Sequence, residues 1–295
     1  MLIVNPFATR VTEDAIDEVQ AQLGRVAHVD TLRTERPLHA TELVQGALRE
    51  GGCDAIVVFS GDGGFNEAIN GLDADVPIGF LPGGGTSVLP RALGLPREPA
   101  AAAEQIAGAL AAQRIRRISV GRVNGRRFAF SAGIGLDAEA VRRMDARGRG
   151  EDGKRPGDLA FAATIAKLLL VEHGGRYYPS LEVKGLGRAA FALVSNADPF
   201  TYAGNRPVHA NPDAVFELGL DVVAPVRVRK RSIPRLVRYV FTGRSTPPEL
   251  LRGHDLDRIE VVCDEPMPLE ADGEDLGDVR EVVFEAERGA ISVLV

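Results

Sequence analysis

In the first 115 or so residues, apolar positions alternate between short unbroken runs and runs at helical spacing. Leu2–Val4 is a strand-like run. Ile16, Val19 and Leu23 fall on one helix face, with Thr12 placed to cap it. Val26–Leu32 reads as a second strand. Ala40, Leu43, Val44, Ala47 and Leu48 form the next helical face, closed by Gly51-Gly52. Ala55–Phe59 is apolar without alternation, as in a parallel strand covered on both faces. Phe65, Ala68, Ile69 and Leu72 follow as a helix, Ile78–Leu81 as a strand, and the alanine-rich stretch 99–112 as a helix. This order predicts an α/β domain built on a parallel sheet.

From Arg116 the pattern changes to short strands with turn signals. The segment SVGRVNGRRFAFSAG sets Asn124-Gly125 between alternating runs, which is strong hairpin chemistry. Further strands are expected near 181–184, 189–196, 220–223, 258–263, 280–285 and 291–295, with helices at 157–172 and 231–242. This half reads as an antiparallel β-sandwich. The expected division is 1–118 for the α/β domain and 119–295 for the β-rich domain, whose last strand can return toward the first.

Composition narrows the function. At 295 residues and 45% hydrophobic, the chain can fill two cores. A net charge of −6 argues against nucleic acid as a partner. Cys53 and Cys263 lack metal-ligand spacing, and two isolated cysteines suit a reducing compartment. No charged leader precedes Leu2, so no signal peptide is expected. The apolar stretch from Leu159 to Val171 is broken by Lys167 and falls short of the ~20 residues a spanning helix needs. The expectation is a cytoplasmic protein that touches membrane only peripherally.

The stretch RVRKRSIPRLVRYVFTGR at 227–244 offers a means of contact. It has seven basic residues and no acidic one, with Ile233, Leu236, Val237, Val240 and Phe241 at helical spacing. A helix of this kind suits an anionic membrane surface. A solvated charged face packed by its apolar side has the same composition. A second basic cluster comprises Arg142, Arg143, Arg147, Arg149, Lys154 and Arg155, around a loop expected at 147–157.

The chemistry concentrates in strand-to-helix turns. SGDGGFNE at 60–67 follows an apolar strand and opens a helix, the place where open α/β sheets bind ligands. Glycines there let backbone N–H groups approach phosphate oxygens, and the helix N-terminus favours negative charge. The turn carries no lysine; it carries Asp62 and Glu67 instead. LPGGGTS at 81–87 repeats the arrangement after the next strand, and Asn5-Pro6-Phe7-Ala8-Thr9 follows the first. Each turn alone is weak evidence, since Gly-Asp-Gly also serves a plain tight turn. Three at one sheet edge favour a nucleotide phosphate site.

The order NPFAT, TERPLHA, SGDGGFNEAINGL and PGGGTSVLPRALGLP, followed by AGIG with DAEAV, SNADPFTYAGNRP, GLDVV and LEADGEDLG, resembles the diacylglycerol kinase and sphingosine kinase catalytic family, most closely its soluble bacterial lipid kinases. The resemblance spans essentially the whole chain. It implies an ATP- and Mg²⁺-dependent kinase acting on a hydroxyl of a diacylglycerol-like lipid, with the reaction in a cleft between the two domains. It implies that Asn5, Pro6, Thr9, Thr34, Ser60, Gly61, Asp62, Gly63, Gly64, Asn66, Gly85 and Thr86 hold the nucleotide. Asp62 and Glu67 would organise the Mg²⁺-bound nucleotide and the loop. Asp272 or Glu274, from the DGE triplet, would accept the proton of the attacking hydroxyl. A second metal site would fall at Glu217 and Asp221. Relatives of this kind can also dimerise.

The chain departs from the family pattern in three places. Gly64 stands where Thr is usual, Ser87-Val88 where Asn or Asn-Asp is common, and Glu217 to Asp221 is one residue short of the expected metal-binding run. Two rival readings follow. An NAD kinase shares a Gly-Gly-Asp-Gly turn and a two-domain plan, but Asn66-Glu67 and the basic helix favour a lipid substrate. A non-catalytic lipid- or nucleotide-binding relative is the other. His39 matches a family position and is assigned no chemistry.

Overall fold

The chain opens with alternating strands and helices that close on two successive helices: β1 (Leu2–Val4), α1 (Glu13–Leu23), β2 (Thr31–Arg33), α2 (His39–Glu50), β3 (Ile56–Ser60), α3 (Asp62–Gly71), β4 (Ile78–Pro82), α4 (Val88–Ala92) and α5 (Pro99–Ala111). This is a computed structural model, and it describes residues 1–146, 158–172, 174, 176–244, 247 and 249–295. Contacts divide these residues into two units, Met1–Ser119 with Gly289–Val295, and Val120–Arg288. The basic residues Arg147, Arg149, Lys154 and Arg155, and the loop expected at 147–157, lie outside the described residues.

In the first unit β2, β1, β3 and β4 pair in that order, all parallel. The end of the chain adds a further parallel strand beside β4, with Val293 opposite Ile78. Every residue of β1, β3 and β4 is buried, as their unalternating apolar sequences require. Leu2, Val57, Phe59 and Leu81 meet Ile16, Val19, Leu23, Ala103 and Ile106 in one core, and Phe65 packs edge-on to Phe80 at 5.3 Å between ring centres. Thr12 caps α1 by accepting the Ala15 N–H. Gly51 ends α2 at φ 73°, which glycine adopts without a Cβ clash.

The second strand is shorter than the expected Val26–Leu32. The Val26 and Ala27 amides turn back to the Leu23 carbonyl to close α1, so the segment cannot join the sheet before Thr31.

The second unit is antiparallel and strand-rich. Entering it are β5 (Ile115–Val123), which spans the division, β6 (Arg126–Phe128) and β7 (Ser131–Ile134), then α6 (Leu136–Ala146), α7 (Asp158–Lys167) and a π-helical turn over Leu168–Glu172. After them come β8 (Arg176–Tyr177), β9 (Leu181–Val183), β10 (Gly187–Ala189), β11 (Ala192–Ser195), β12 (Thr201–Ala203) and β13 (Arg206–Val208). The chain ends through β14 (Leu220–Pro225), β15 (Val228–Arg229), α8 (Ile233–Thr242), β16 (Leu250–Leu256), β17 (Arg258–Ala271) and β18 (Glu274–Leu294). The main ladder runs β16-β14-β11-β7-β17-β18.

Asn124 (φ 49°) and Gly125 (φ 80°) join β5 to β6 in the expected hairpin. The expected strand at 189–196 is two strands, because the Ala190 amide leaves the ladder for the Pro225 carbonyl. The separate strands expected at 258–263, 280–285 and 291–295 are parts of β17 and β18, which a two-residue turn at Asp272-Gly273 connects. Helix α8 buries Tyr239, whose hydroxyl donates to the Ala210 carbonyl at 2.7 Å. Leu236 and Ile233 pack on a small core with Phe191 and Val228. Val237 and Phe241 do not join the apolar face expected of them: they are 47% and 46% exposed.

Candidate active site

Strand order in the first unit reverses direction between β1 and β3, since β2 lies on one side of β1 and β3 on the other. Such a reversal leaves a crevice at the carboxyl ends of the two strands, where open α/β sheets bind ligands. Asn5 leaves β1 at this point and Ser60 ends β3. The Asn5 amide N–H bonds the Phe59 carbonyl at 2.9 Å, and its side-chain oxygen accepts the Phe7 N–H at 3.0 Å, folding the turn back on itself. Thr34 is buried beside them, its amide bonded to the Val4 carbonyl. Pro6 is half-buried and Thr9 exposed on the same turn.

The three glycine-rich or Asn-Pro turns are tied into one assembly. The Gly83 amide donates to the Ser60 carbonyl at 2.7 Å, and the Arg10 amide donates to the Gly83 carbonyl at 2.8 Å. A Cβ on Gly84 would stand 3.0 Å from Gly61 Cα, so two backbones pass closer there than side chains allow. Asp62 completes the tie: its carboxylate accepts the Val88 N–H at 3.0 Å and the Leu89 N–H at 3.2 Å. These amides open α4, and Ser87, at φ 48°, makes no side-chain cap for it. Asp62 therefore caps the helix of the neighbouring turn. Gly63 and Gly64 follow it in the first turn of α3, while Gly85 and Thr86 sit at the open end of the second turn.

Glu67 and Asn66 act inside the scaffold. Glu67 accepts the Ala40 N–H at 3.2 Å, capping α2, whose N-cap residue Leu38 sits at φ 65° and supplies no cap of its own. Its carbonyl accepts the Thr41 hydroxyl. Buried Asn66 takes the Asn70 side-chain amide on both its carbonyl oxygens, main chain and side chain. His39 accepts the Glu35 N–H.

In the second unit the DGE triplet forms the β17–β18 turn. Asp272 (φ 49°) and Gly273 (φ 79°) both lie in the left-handed region that a tight two-residue hairpin demands. Asp272 is buried, and its carboxylate accepts the amides of Ala129 (2.6 Å), Phe130 (3.0 Å) and Ser131 (3.2 Å). Glu274 is half-buried in a 2.6 Å ion pair with Arg126. Arg142, on α6, holds Asp275 and Asp278, and its guanidinium keeps the Asp275 carboxyl below the usual range.

Two residues that the sequence reading passed over stand behind this turn. Glu270 and Asp137 are both buried, with their carboxyls against each other. Burial pushes Asp137 up to about 6, and burial with the adjacent Asp137 charge raises Glu270 well above the carboxylate range. Glu270 also accepts the Gly273 N–H at 2.8 Å, fixing the turn from below. Gly133 makes room for the pair, because a Cβ there would stand 2.3 Å from Asp137 Oδ1. The available sequence signals were DAEAV after a glycine turn and an acid two residues before Asp272.

Of the residues expected at a second metal site, Glu217 precedes β14 and Asp221 lies within it. Asp221 is buried and takes His254 Nδ1 at 2.9 Å and the Asp255 N–H at 3.0 Å, and Glu217 is exposed. Among the described residues, no three His, Cys, Asp or Glu side chains gather closely enough to hold a metal ion.

Comparison with known proteins finds likeness to one family in the first part of the chain. Residues 1–123 match the family model described as the diacylglycerol kinase catalytic domain, and the matched relatives are bacterial lipid kinases by name. The expected resemblance is thus shown, and it supports a lipid kinase that uses ATP. A provisionally named lipid kinase of Streptococcus pneumoniae serotype 4 is 27% identical over 95% of this chain and 89% of its own. The diacylglycerol kinase of Bacillus subtilis is 41% identical over 31% of this chain and 29% of its own. In fold, a diacylglycerol kinase of Bacillus anthracis has a TM-score of 0.73 at 19% identity, covering 99% of this chain and 95% of that one. An NAD kinase of Archaeoglobus fulgidus, solved with ATP, reaches 0.54 at 14% identity over 100% and 92%. At these identities the two structures speak for fold alone. Among the described residues no helix is long and apolar enough to cross a membrane.

Proposed function

We propose that the chain is an ATP- and Mg²⁺-dependent kinase that transfers the γ-phosphate to a hydroxyl of diacylglycerol or a similar lipid. The observation that carries this reading is the tying of three turns, by Ser60, Gly83 and Asp62, around the carboxyl ends of β1 and β3. The fit to a nucleotide polyphosphate is good. Gly85 has open space where a Cβ would stand, and the N-terminus of α3 presents backbone N–H groups without a side-chain cap. Asn5, Thr34 and the Ser60 to Gly64 turn would hold the phosphates and ribose. Mg²⁺ needs only one or two protein carboxylates besides phosphate and water, and Asp62 is the carboxylate at this turn. When bound, the ion would neutralise charge on the phosphates, which a loop without lysine leaves to metal and backbone dipoles.

The acidic turn supplies the base. Asp272 is oriented by three amides, and Glu274 is the more exposed of the two. Either carboxylate would accept the proton of the lipid hydroxyl as it attacks phosphorus. Comparing Asp272→Asn with Glu274→Gln separates them: the base is the one whose loss collapses kcat with ATP affinity retained. If both variants turn over normally, the assignment to this turn fails.

Contact with an anionic membrane fits α8, where Pro234, Val237 and Phe241 are exposed alongside Arg235 and Arg238. Arg227, at the start of the basic stretch, is paired with Glu249 instead. NAD phosphorylation in place of lipid phosphorylation would overturn the substrate reading.

A further inference from the structure

The strand pairing slips at Asp221. Leu220 of β14 pairs with Leu256 of β16 and Val222 with Gly253, so Asp221 alone stands opposite both His254 and Asp255. This is a β-bulge, which takes backbone groups of the longer strand out of the ladder. Asp221, 1% exposed, meets them with its carboxylate. Its Oδ1 accepts the Asp255 N–H at 3.0 Å, and both its oxygens lie 2.9 Å from His254 Nδ1. Asp255, at φ 55°, repeats the pattern one step on. Its Oδ1 accepts the Gly219 N–H at 2.8 Å and Arg288 Nη1 at 2.7 Å. Arg288 Nη2 donates to the Asp255 carbonyl at 3.2 Å, and Nε donates to Asp257 at 2.6 Å. Gly219 lies against this guanidinium, since a Cβ there would stand 2.7 Å from Arg288 Nη2 and 2.6 Å from the Leu256 carbonyl oxygen.

The family resemblance implies a second metal ion here, at Glu217 and Asp221, and the donor set does not suit one. Mg²⁺ and Ca²⁺ take six or more oxygen ligands. The carboxylates of Asp221 and Asp255 are met instead by N–H donors from Gly219, Asp255, His254 and Arg288. An incoming ion would have to displace these donors beside a guanidinium whose positive charge is permanent. We infer that a clasp made of protein alone, Asp221 with His254 and Asp255 with Arg288, holds the 217–221 turn in place of the implied metal, so that the second unit needs no divalent cation to keep its fold. Mg²⁺ is then left to the nucleotide turn, and the clasp stands whatever the chain phosphorylates.

Thermal unfolding of the full chain without nucleotide tests this, in EDTA and with Mg²⁺ or Ca²⁺ at matched ionic strength, for the parent, Asp221→Asn, His254→Ala and Arg288→Ala. Metal analysis of the purified parent runs beside it. The parent should carry no retained divalent ion, and its Tm should be the same with and without either ion. His254→Ala should lower the Tm in EDTA by several degrees, because the buried Asp221 carboxylate loses a donor. Arg288→Ala should lower it by less, since Arg288 and Asp255 are 40% and 38% exposed. A Tm raised by Mg²⁺ or Ca²⁺ in the parent but not in Asp221→Asn overturns the inference. So does a retained ion that Asp221→Asn loses, and so does His254→Ala melting with the parent. A rise shared by the parent and Asp221→Asn belongs to an ion bound elsewhere and agrees with the clasp.

Discussion

Replacing Glu270 by Gln should make the protein more stable at alkaline pH, which is an unusual result for a buried polar substitution. Glu270 and Asp137 stand together in the interior of the second unit, and burial raises both pKa values. A folded-state pKa above the unfolded one means the native state binds more protons, so stability is full at low pH and falls as pH rises through the folded value. For Asp137 alone, a rise from 3.8 to about 6 corresponds to about 3 kcal/mol lost across that interval. Glu270 extends the decline to higher pH. Glutamine keeps an oxygen for the Gly273 amide and offers an N–H to Asp137, which then ionises against a donor. Urea denaturation of both proteins from pH 5 to pH 8 provides the assay. The variant should be similar to the parent near pH 5 and gain over it by a gap that widens as pH rises toward 8. Using the difference between the two cancels other titrations, such as that of His254, whose pKa its hydrogen bond to Asp221 raises. A gap that is constant with pH, or a variant less stable at pH 8, would refute the reasoning.

Three further outcomes follow from the same geometry. Asp62→Ala should abolish turnover and lower Tm by several degrees, because two charge-assisted amide bonds worth about 2 kcal/mol together leave the α4 cap; normal turnover contradicts the role given to this carboxylate. Glu67→Ala should cost about 1 kcal/mol by uncapping α2, measured by urea denaturation, and an unchanged midpoint removes the cap from the account. Val237→Ser with Phe241→Ser should weaken sedimentation with vesicles of three parts phosphatidylcholine to one part phosphatidylglycerol while leaving ATP affinity unchanged, since both side chains are exposed. Equal sedimentation of variant and parent excludes α8 as the contact.

Much of the architecture was legible because the cores are written as period. Unbroken apolar runs at Leu2–Val4 and Ala55–Phe59 could only be covered strands, and the Asn124-Gly125 and Asp272-Gly273 pairs announce turns by their need for positive φ. The shortened β2 was not legible, because hydrogen bonds from Val26 and Ala27 to Leu23, rather than propensity, decide where that strand begins. The positions of the glycine turns could be read in advance, but the partners of their side chains could not. Asp62 reads as a ligand and is also a cap for another turn's helix, 26 residues on. Glu270 and Asp137 lie far apart in sequence, and only the pairing of β17 with β7 brings a residue of one hairpin beside the helix that follows the other strand. Gly64 reads as a missing hydroxyl until Ser60 is seen occupying the same space.

The most direct test of the central claim is transfer of label from γ-labelled ATP, with Mg²⁺, to a panel of diacylglycerol, sphingoid and phospholipid substrates alongside NAD, with products identified by mass spectrometry. The account predicts a labelled phosphate monoester on a diacylglycerol-like lipid, lost in Asp62→Ala. Label on NAD alone, or ATP binding with no lipid product across the panel, would contradict it.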